Sequence, residues 1–280
     1  MPAVLGMDLG ATNLRVALGT DAGIAARAAE PVPPTGEALA ERVAAIAREL
    51  AGGEPIAAAV VGVPGIPEGD GFAGLIAGAA GLNRAPLRRL LADALGAPVA
   101  IDNDVNLAAL AESRARGVDD LAFIAVGTGV GMGIVSDGRV LRGAHGGAGE
   151  LGQLPVGDHV VAPFGALGPL EAIAGGAGLA ARAGTASARE VFDAGPSALL
   201  DDQARVLASA IRSVQALLDP ELIVLGGGIG CRADVADRVL AALAAHGTPA
   251  PTVERSQLGE DAGLLGALTL ARSMLAARDA

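Results

Sequence analysis

The chain has 280 residues, 51% of them hydrophobic and 18% charged, enough to bury a substantial core and too apolar for a disordered chain. Its formal net charge of -11, from 20 basic and 31 acidic side chains, argues against general binding to nucleic acid or to an anionic membrane. Aromatic residues make up only 1%, so the core must be built from Ala, Val, Leu and Ile packed closely around many of the 42 glycines.

In chain order, residues 3–9 and 13–19 read as two strands joined by a Gly-containing turn, and Asp21-Ala22-Gly23 turns the chain into a third. Leu39, Val43, Ile46 and Leu50 form one stripe of a helix. The run IAAAVVGV (56–63) has the pattern of a strand covered on both faces. Pro86 opens a helix, residues 98–104 (PVAIDND) form a second buried strand, and 105–116 form a helix stopped by Gly117. The opening pattern then returns. Residues 121–143 again read strand, Gly/Thr turn, strand, Asp-Gly turn, strand, which points to an internal duplication. A Gly-rich loop (143–153), a Gly/Pro-rich stretch to about 169, helices near 170–182 and 197–218, a strand at 221–228 and a terminal helix at 262–277 complete the reading. A charged, glycine-containing segment at 114–120 is the expected domain boundary. Cys231 is alone, so no internal disulfide or Cys-based zinc cluster is expected, and it reads as a small buried apolar residue. Asp8 interrupts the first apolar segment and no charge-free apolar run spans a bilayer, so the expected location is the cytoplasm.

Three glycine loops follow apolar strands: Asp8-Leu9-Gly10-Ala11-Thr12-Asn13, Gly127-Thr128-Gly129 and Gly226-Gly227-Gly228. Bare backbone lets amide N–H groups approach phosphate oxygens or a flat purine closely, and Asp8 can hold Mg²⁺ directly or through water. Each loop taken singly also reads as a plain hairpin turn. There is no Walker A motif and no G-x-G-x-x-G opening a βαβ helix. Asn103-Asp104 ends a buried strand, where open α/β sheets bind ligands. Asp104 reads either as a proton acceptor for a substrate hydroxyl or as an N-cap, and Asn103 as a hydroxyl ligand or a turn former. Glu150 and Gln153 carry the donors and acceptors that sugars need, or belong to a solvated loop. Glu171 reads as a first-turn acid complementing a helix dipole. His145, His159 and His246 are scattered without metal-ligand spacing, the last two reading as surface or loop residues.

Taken together, MDLGATNLRVAL, GVPGI, PVAIDNDVNLAALAE, FIAVGTGVGMGIVSDGRVLRGAHGGAGELG, PLEAIAGGAGLA and LDPELIVLGGGIG resemble the ROK family, in order and spacing over nearly the whole chain. The resemblance implies an α/β, actin-like ATPase (ribonuclease H-like) duplicated fold with two lobes around a cleft. The N-terminal lobe would span 1–115 with the helix at about 262–280 crossing back to it, and the C-terminal lobe 116–261. It implies a glucokinase-like sugar kinase that phosphorylates a hexose with ATP and Mg²⁺, is a homodimer, and binds neither nucleic acid nor membrane. Asp104 then matches the catalytic base, and Gly65, Asn83, Asn103, Glu150, Gln153 and Glu171 the sugar-side positions. Asp8, Gly10, Thr12, Asn13, Thr128, Gly129, Gly227 and Gly228 match the nucleotide side.

Three departures from the family pattern bear on the sugar. The His of G-E-x-G-H is Gln153, the cysteine-rich zinc motif is replaced by DHVVAPFGALG, and the usual A-P-N-L reads Ala80-Gly81-Leu82-Asn83, so its sugar-binding Asn is either missing or displaced to Asn83. Structural zinc is therefore not expected, and glucose, another hexose and an N-acetyl sugar stay open. So do a non-catalytic sensor and a polyphosphate-using kinase, although Asp104 argues against the first and the net charge against the second. The phosphate loop beginning at residue 8 leaves no room for an upstream helix-turn-helix, which argues against a repressor.

Overall fold

The computed structural model describes residues 2–10, 12–20, 23–73, 80–157, 167–245, 247 and 249–277. Its elements are, in chain order, β1 (Ala3–Leu9), β2 (Asn13–Thr20), β3 (Gly23–Pro31), α1 (Gly36–Leu50), β4 (Ile56–Val63), β5 (Ile66–Glu68), β6 (Gly71–Ala73), α2 (Leu87–Leu95), β7 (Val99–Asn103) and α3 (Asp104–Arg116). There follow β8 (Leu121–Val126), β9 (Val130–Ser136), β10 (Arg139–Val140), α4 (Glu171–Ala174), α5 (Gly176–Ala183), α6 (Ala188–Asp193), α7 (Ala198–Leu218), β11 (Leu222–Gly226), α8 (Gly227–Gly230), α9 (Ala233–Ala244), β12 (Val253–Arg255) and α10 (Ala262–Ala276). The chain divides into two compact units. The first holds Met1–Ala111, Ala144–Gly146 and Asp261–Ala280, and the second Glu112–Gly143 and Gly147–Glu260.

In the first unit a five-stranded sheet runs β3-β2-β1-β4-β7. The meander pairs antiparallel, and β1, β4 and β7 pair parallel. Strand periodicity sorts the side chains. Leu5, Met7 and Leu9 of β1 and Ala59, Val61 and Val63 of β4 join the core that contains Leu39, Val43 and Ile46 of α1 and Leu87 and Leu91 of α2. Val4, Ala58 and Val60 join Leu107 of α3 with Leu264 and Leu268 of α10. Each such leucine, fully buried, contributes about 1.5–3 kcal/mol. The close approach of α10 depends on Gly266, where a Cβ would lie 1.9 Å from the Leu107 carbonyl oxygen. Thr35 caps α1 by accepting the Ala38 N–H (3.3 Å).

The second unit repeats that arrangement as β10-β9-β8-β11-β12, with β9 antiparallel to both β8 and β10, and β8, β11 and β12 parallel. Ile124, Val126, Met132, Ile134, Ile223 and Leu225 share a core with Leu207 and Ile211 of α7 and Val239 and Leu243 of α9. The duplication expected from the sequence is thus present as two sheets of the same order and direction. The C-terminal part of α3 is anchored within this unit. Fully buried Glu112 pairs with Arg116 (2.8 Å) and accepts the N–H groups of Gln257 (3.0 Å) and Leu258 (3.1 Å).

Several expectations need correcting. β7 spans 99–103 and Asp104 is already the first residue of α3, so Asp104 is not its N-cap. The helix expected over 170–182 is two helices, because the chain is extended at Gly175 (φ -75°, ψ 156°). The strand expected over 221–228 ends at Gly226, and Gly227 begins a short helix. The Gly-rich loop 143–153 ends in a 3₁₀ turn, Leu151–Gln153. Cys231 is half-buried. The turn at Asp21-Ala22, His159 and His246, and all but the last two residues of DHVVAPFGALG, lie outside the described residues.

Candidate active site

The β7–α3 junction in the first unit is built by side chain–backbone bonds. Asn103 Oδ1 accepts the N–H groups of Val105 (2.9 Å) and Asn106 (3.1 Å), which makes Asn103 the residue that caps α3. Its Nδ2 donates to the Gly65 carbonyl (3.2 Å). Gly65 has φ 147°, a backbone that favours glycine, and its N–H donates to Val63 O (3.1 Å). Asp104 Oδ1 also accepts the Val105 N–H (2.9 Å). Beneath them Asp102, 1% exposed, accepts from Asn103 N–H (2.9 Å) and Asn106 Nδ2 (3.2 Å). Gly65, Asn103 and Asp104 are therefore brought to one junction. Asn83 is exposed, and its N–H donates to Ala80 O (3.2 Å) in a turn.

Asp8, the last residue but one of β1, lies directly opposite Arg15 in the antiparallel register. Its Oδ2 accepts from Arg15 Nε (3.0 Å) and Nη2, and it is 8% exposed. The hairpin beyond closes with Gly10 N–H to Asn13 O (2.9 Å), while Thr12 and Asn13 are exposed with Asn13 Nδ2 on Thr12 Oγ1 (3.3 Å). Gly263, in the first turn of α10, lies beside this corner: a Cβ there would stand 3.8 Å from Asp8 Oδ2 and 3.9 Å from the Asp104 carbonyl.

In the second unit the Gly127–Gly129 turn closes with Gly127 N–H to Gly129 O (3.0 Å). The carbonyls of Gly127 and Thr128 accept the N–H groups of Gly176 (2.8 Å) and Ala177 (2.9 Å), seating the start of α5 on this loop. Glu171 lies across the turn. Its carboxylate accepts Val130 N–H (3.2 Å) and Gly168 N–H (3.4 Å), and a Cβ on Gly129 would meet its Oε1 at 2.0 Å. Glu171 is thus bound to the glycine loop, beyond the first-turn dipole role read from sequence. Burial pushes the Glu150 carboxyl above the usual carboxylate range, and the negative charge of Glu171 pushes it further. By surface area Glu150 is nonetheless exposed, so contact with water weakens that burial effect. Gln153 is exposed and donates its N–H to Glu150 O (3.0 Å). Gly226 lies against the Phe123 ring and Gly227 (φ 76°) against the Val126 carbonyl, whereas a Cβ on exposed Gly228 would meet nothing within 4 Å.

Sequence reasoning passed over Arg15, Asp102 and Asn106. The signal for Asp102 was its place inside a strand covered on both faces, which buries its carboxylate whichever face it takes.

Comparison with known proteins decides the family. The ROK family model matches residues 4–274. The chain belongs to the ROK family. An N-acetylmannosamine kinase of Escherichia fergusonii is 36% identical over 290 residues, covering 96% of this chain and 98% of that protein. The ROK hexokinase of Thermus thermophilus superposes with a TM-score of 0.84 at 33% identity, over 98% of this chain and 99% of that one. A bifunctional enzyme NanE/NanK of Brucella suis is 41% identical over 200 residues, 66% of this chain; the match spans only 37% of that longer protein. This ROK protein has the actin-like ATPase fold, with the duplicated sheets described above. Among the described residues no helix is long and apolar enough to cross a membrane.

Proposed function

We propose that this ROK protein transfers the γ-phosphoryl group of ATP to a hydroxyl of an N-acetylmannosamine-type hexosamine. The observation that carries the reading is the Gly65–Asn103–Asp104 junction, where a carboxylate follows a helix-capping amide that is itself tied to a glycine carbonyl. In this reading the sugar hydroxyl attacks the γ-phosphorus, the bond to the β,γ-bridging oxygen breaks, ADP leaves, and Asp104 takes the hydroxyl proton. The sugar-side role is assigned to Asn103, Gly65, Asn83, Glu150, Gln153 and Glu171 by their match to the family's motifs. The bare backbone of Gly10, Thr128, Gly129, Gly227 and Gly228, with Thr12 and Asn13, receives the nucleotide.

Mg²⁺ would neutralise charge on the phosphates. Asp8 is the carboxylate suited to hold it, and among the described residues no group of three or more His, Cys, Asp or Glu is placed to bind a metal alone. That donor set fits an ion held by one carboxylate together with nucleotide phosphates and water. The preference for an N-acetyl sugar is supported by the full-length similarity to an N-acetylmannosamine kinase.

The test is ADP release by the purified protein with ATP, Mg²⁺ and a panel of glucose, mannose, N-acetylglucosamine and N-acetylmannosamine. The expected result is the highest kcat/KM on N-acetylmannosamine. A preference for glucose would overturn the sugar assignment, and no release with any sugar would overturn the kinase reading.

A further inference from the structure

We infer that Asp102 and Asn106, two buried polar residues outside the family's sugar and phosphate positions, are positioning residues that aim the Asp104 carboxylate; this rests on the reading of Asp104 as the base. The observation is a connected set of bonds under the β7–α3 junction. Asp102 Oδ1 holds the Asn103 N–H (2.9 Å) and Asn106 Nδ2 (3.2 Å). Asn103 Oδ1 in turn holds the N–H groups of Val105 and Asn106, and Asn103 Nδ2 reaches Gly65 O. Asp104 thus lies one residue beyond a held Asp102–Asn103 peptide, bound through the Asn103 N–H, and directly before a held Asp104–Val105 peptide, bound through the Val105 N–H. Its side chain has a single stem from a clamped backbone.

Stability alone is a poor reason for this arrangement. Ala100, two residues earlier on the same face of β7, packs on the apolar cluster of Val4, Val60, Leu107 and Leu264, and Asp102 is 1% exposed. A carboxylate in such surroundings is costly to desolvate, and an apolar replacement of similar volume is often neutral or stabilising. Asn106 is 3% exposed, and its Oδ1 is buried with no hydrogen-bond partner among the described residues. A buried amide that satisfies only its donor side costs more than an apolar side chain of the same shape. What both residues supply is direction: a polar network leaves one arrangement of the junction where an apolar contact would allow several. A displacement of about 1 Å of a reacting group can lower turnover by roughly 10²-fold.

The experiment compares the wild type with two double variants. Asp102→Asn with Asn106→Asp exchanges the two groups and keeps an acceptor for Asn103 N–H and a donor–acceptor bond between the side chains. Asp102→Val with Asn106→Leu removes both polar partners together. Three quantities are measured: kcat and KM for the sugar, the melting temperature, and amide hydrogen exchange of the peptide spanning Ile101–Asn106. The expected result is that the exchanged pair keeps most of its turnover and its protection. The apolar pair should melt near the wild-type temperature, lose up to about 10²-fold in kcat with KM little changed, and exchange faster at Ile101–Asn106 alone.

An apolar pair with wild-type kcat and wild-type protection would overturn the proposal. So would an exchanged pair that folds but is as slow as the apolar one. If the apolar pair does not fold, the exchanged pair decides by the same two readouts. If the wild type phosphorylates no sugar, the kinase reading fails, and hydrogen exchange still decides whether this network clamps the junction.

Discussion

At Gly228 a side chain would project into open space, whereas at Gly129 it would strike Glu171 Oε1 at 2.0 Å. The two glycines therefore test different things. Gly129→Ala displaces the carboxylate that holds Val130 N–H and Gly168 N–H, so it disturbs the loop as well as any phosphate near it. Gly228→Val adds bulk without a clash, and the expected outcome is a raised KM for ATP with an unchanged melting temperature; an unchanged KM would make this glycine a plain turn residue. Glu150 gives a prediction with a defined sign. Burial and the Glu171 charge raise its folded-state pKa above the unfolded value of about 4.3. The stability it contributes is fully present below the unfolded pKa and is lost as pH rises through the raised folded pKa. Glu150→Gln removes that loss. Melting curves should show the variant gaining on the wild type as pH rises from about 4 toward 7, and a pH-independent difference would contradict the assigned cause. Asp104, Asn103, Glu150 and Glu171 were all legible in the sequence as polar residues interrupting apolar or glycine-rich runs. Arg15 and Asn106 were not, because a residue's meaning there depends on its cross-strand or helix-turn partner, Asp8 for one and Asp102 for the other.

Among the elements, α3 is the one whose start carries both structure and chemistry. Asn103 accepts two of its first N–H groups, so Asn103→Ala should cost about 1 kcal/mol of unfolding free energy by denaturant titration. Asp104→Ala should cost less, because Asp104 already lies inside the helix and its Oδ1 shares only the Val105 N–H with Asn103. Equal losses would return the capping role to Asp104. The sequence could offer Asp104 as the cap because Asp and Asn are comparable N-cap residues and stand side by side here. The β-meanders, the α1 stripe and the buried strands were legible because glycine turns and apolar periodicity bound them. The α4–α5 break was not: Ala-rich sequence on both sides of Gly175 has no period to interrupt, and the break is set by the Gly176 N–H reaching Gly127 O across the unit. The three-residue strands β5, β6 and β12 are too short for alternation to show.

For the whole molecule, repetition was the most informative feature of the sequence. Two glycine-turned meanders, each continued by parallel strands, became two five-stranded sheets of the same order. The family followed from motifs spread over nearly the full length, and the model match over residues 4–274 agrees with them. The sugar was not legible, because Gln153 and the segment replacing the cysteine motif remove the residues from which the family's preference would be read. The central claim is that this fold is used for phosphoryl transfer with Asp104 as base. Its most direct test is the steady-state turnover of the wild type and of Asp104→Asn, side by side, with ATP, Mg²⁺ and N-acetylmannosamine. Asn keeps the shape and removes the proton acceptor, so the account predicts that kcat falls by roughly 10²–10⁴-fold while the melting temperature holds. A folded Asp104→Asn protein that turns over at the wild-type rate would contradict it.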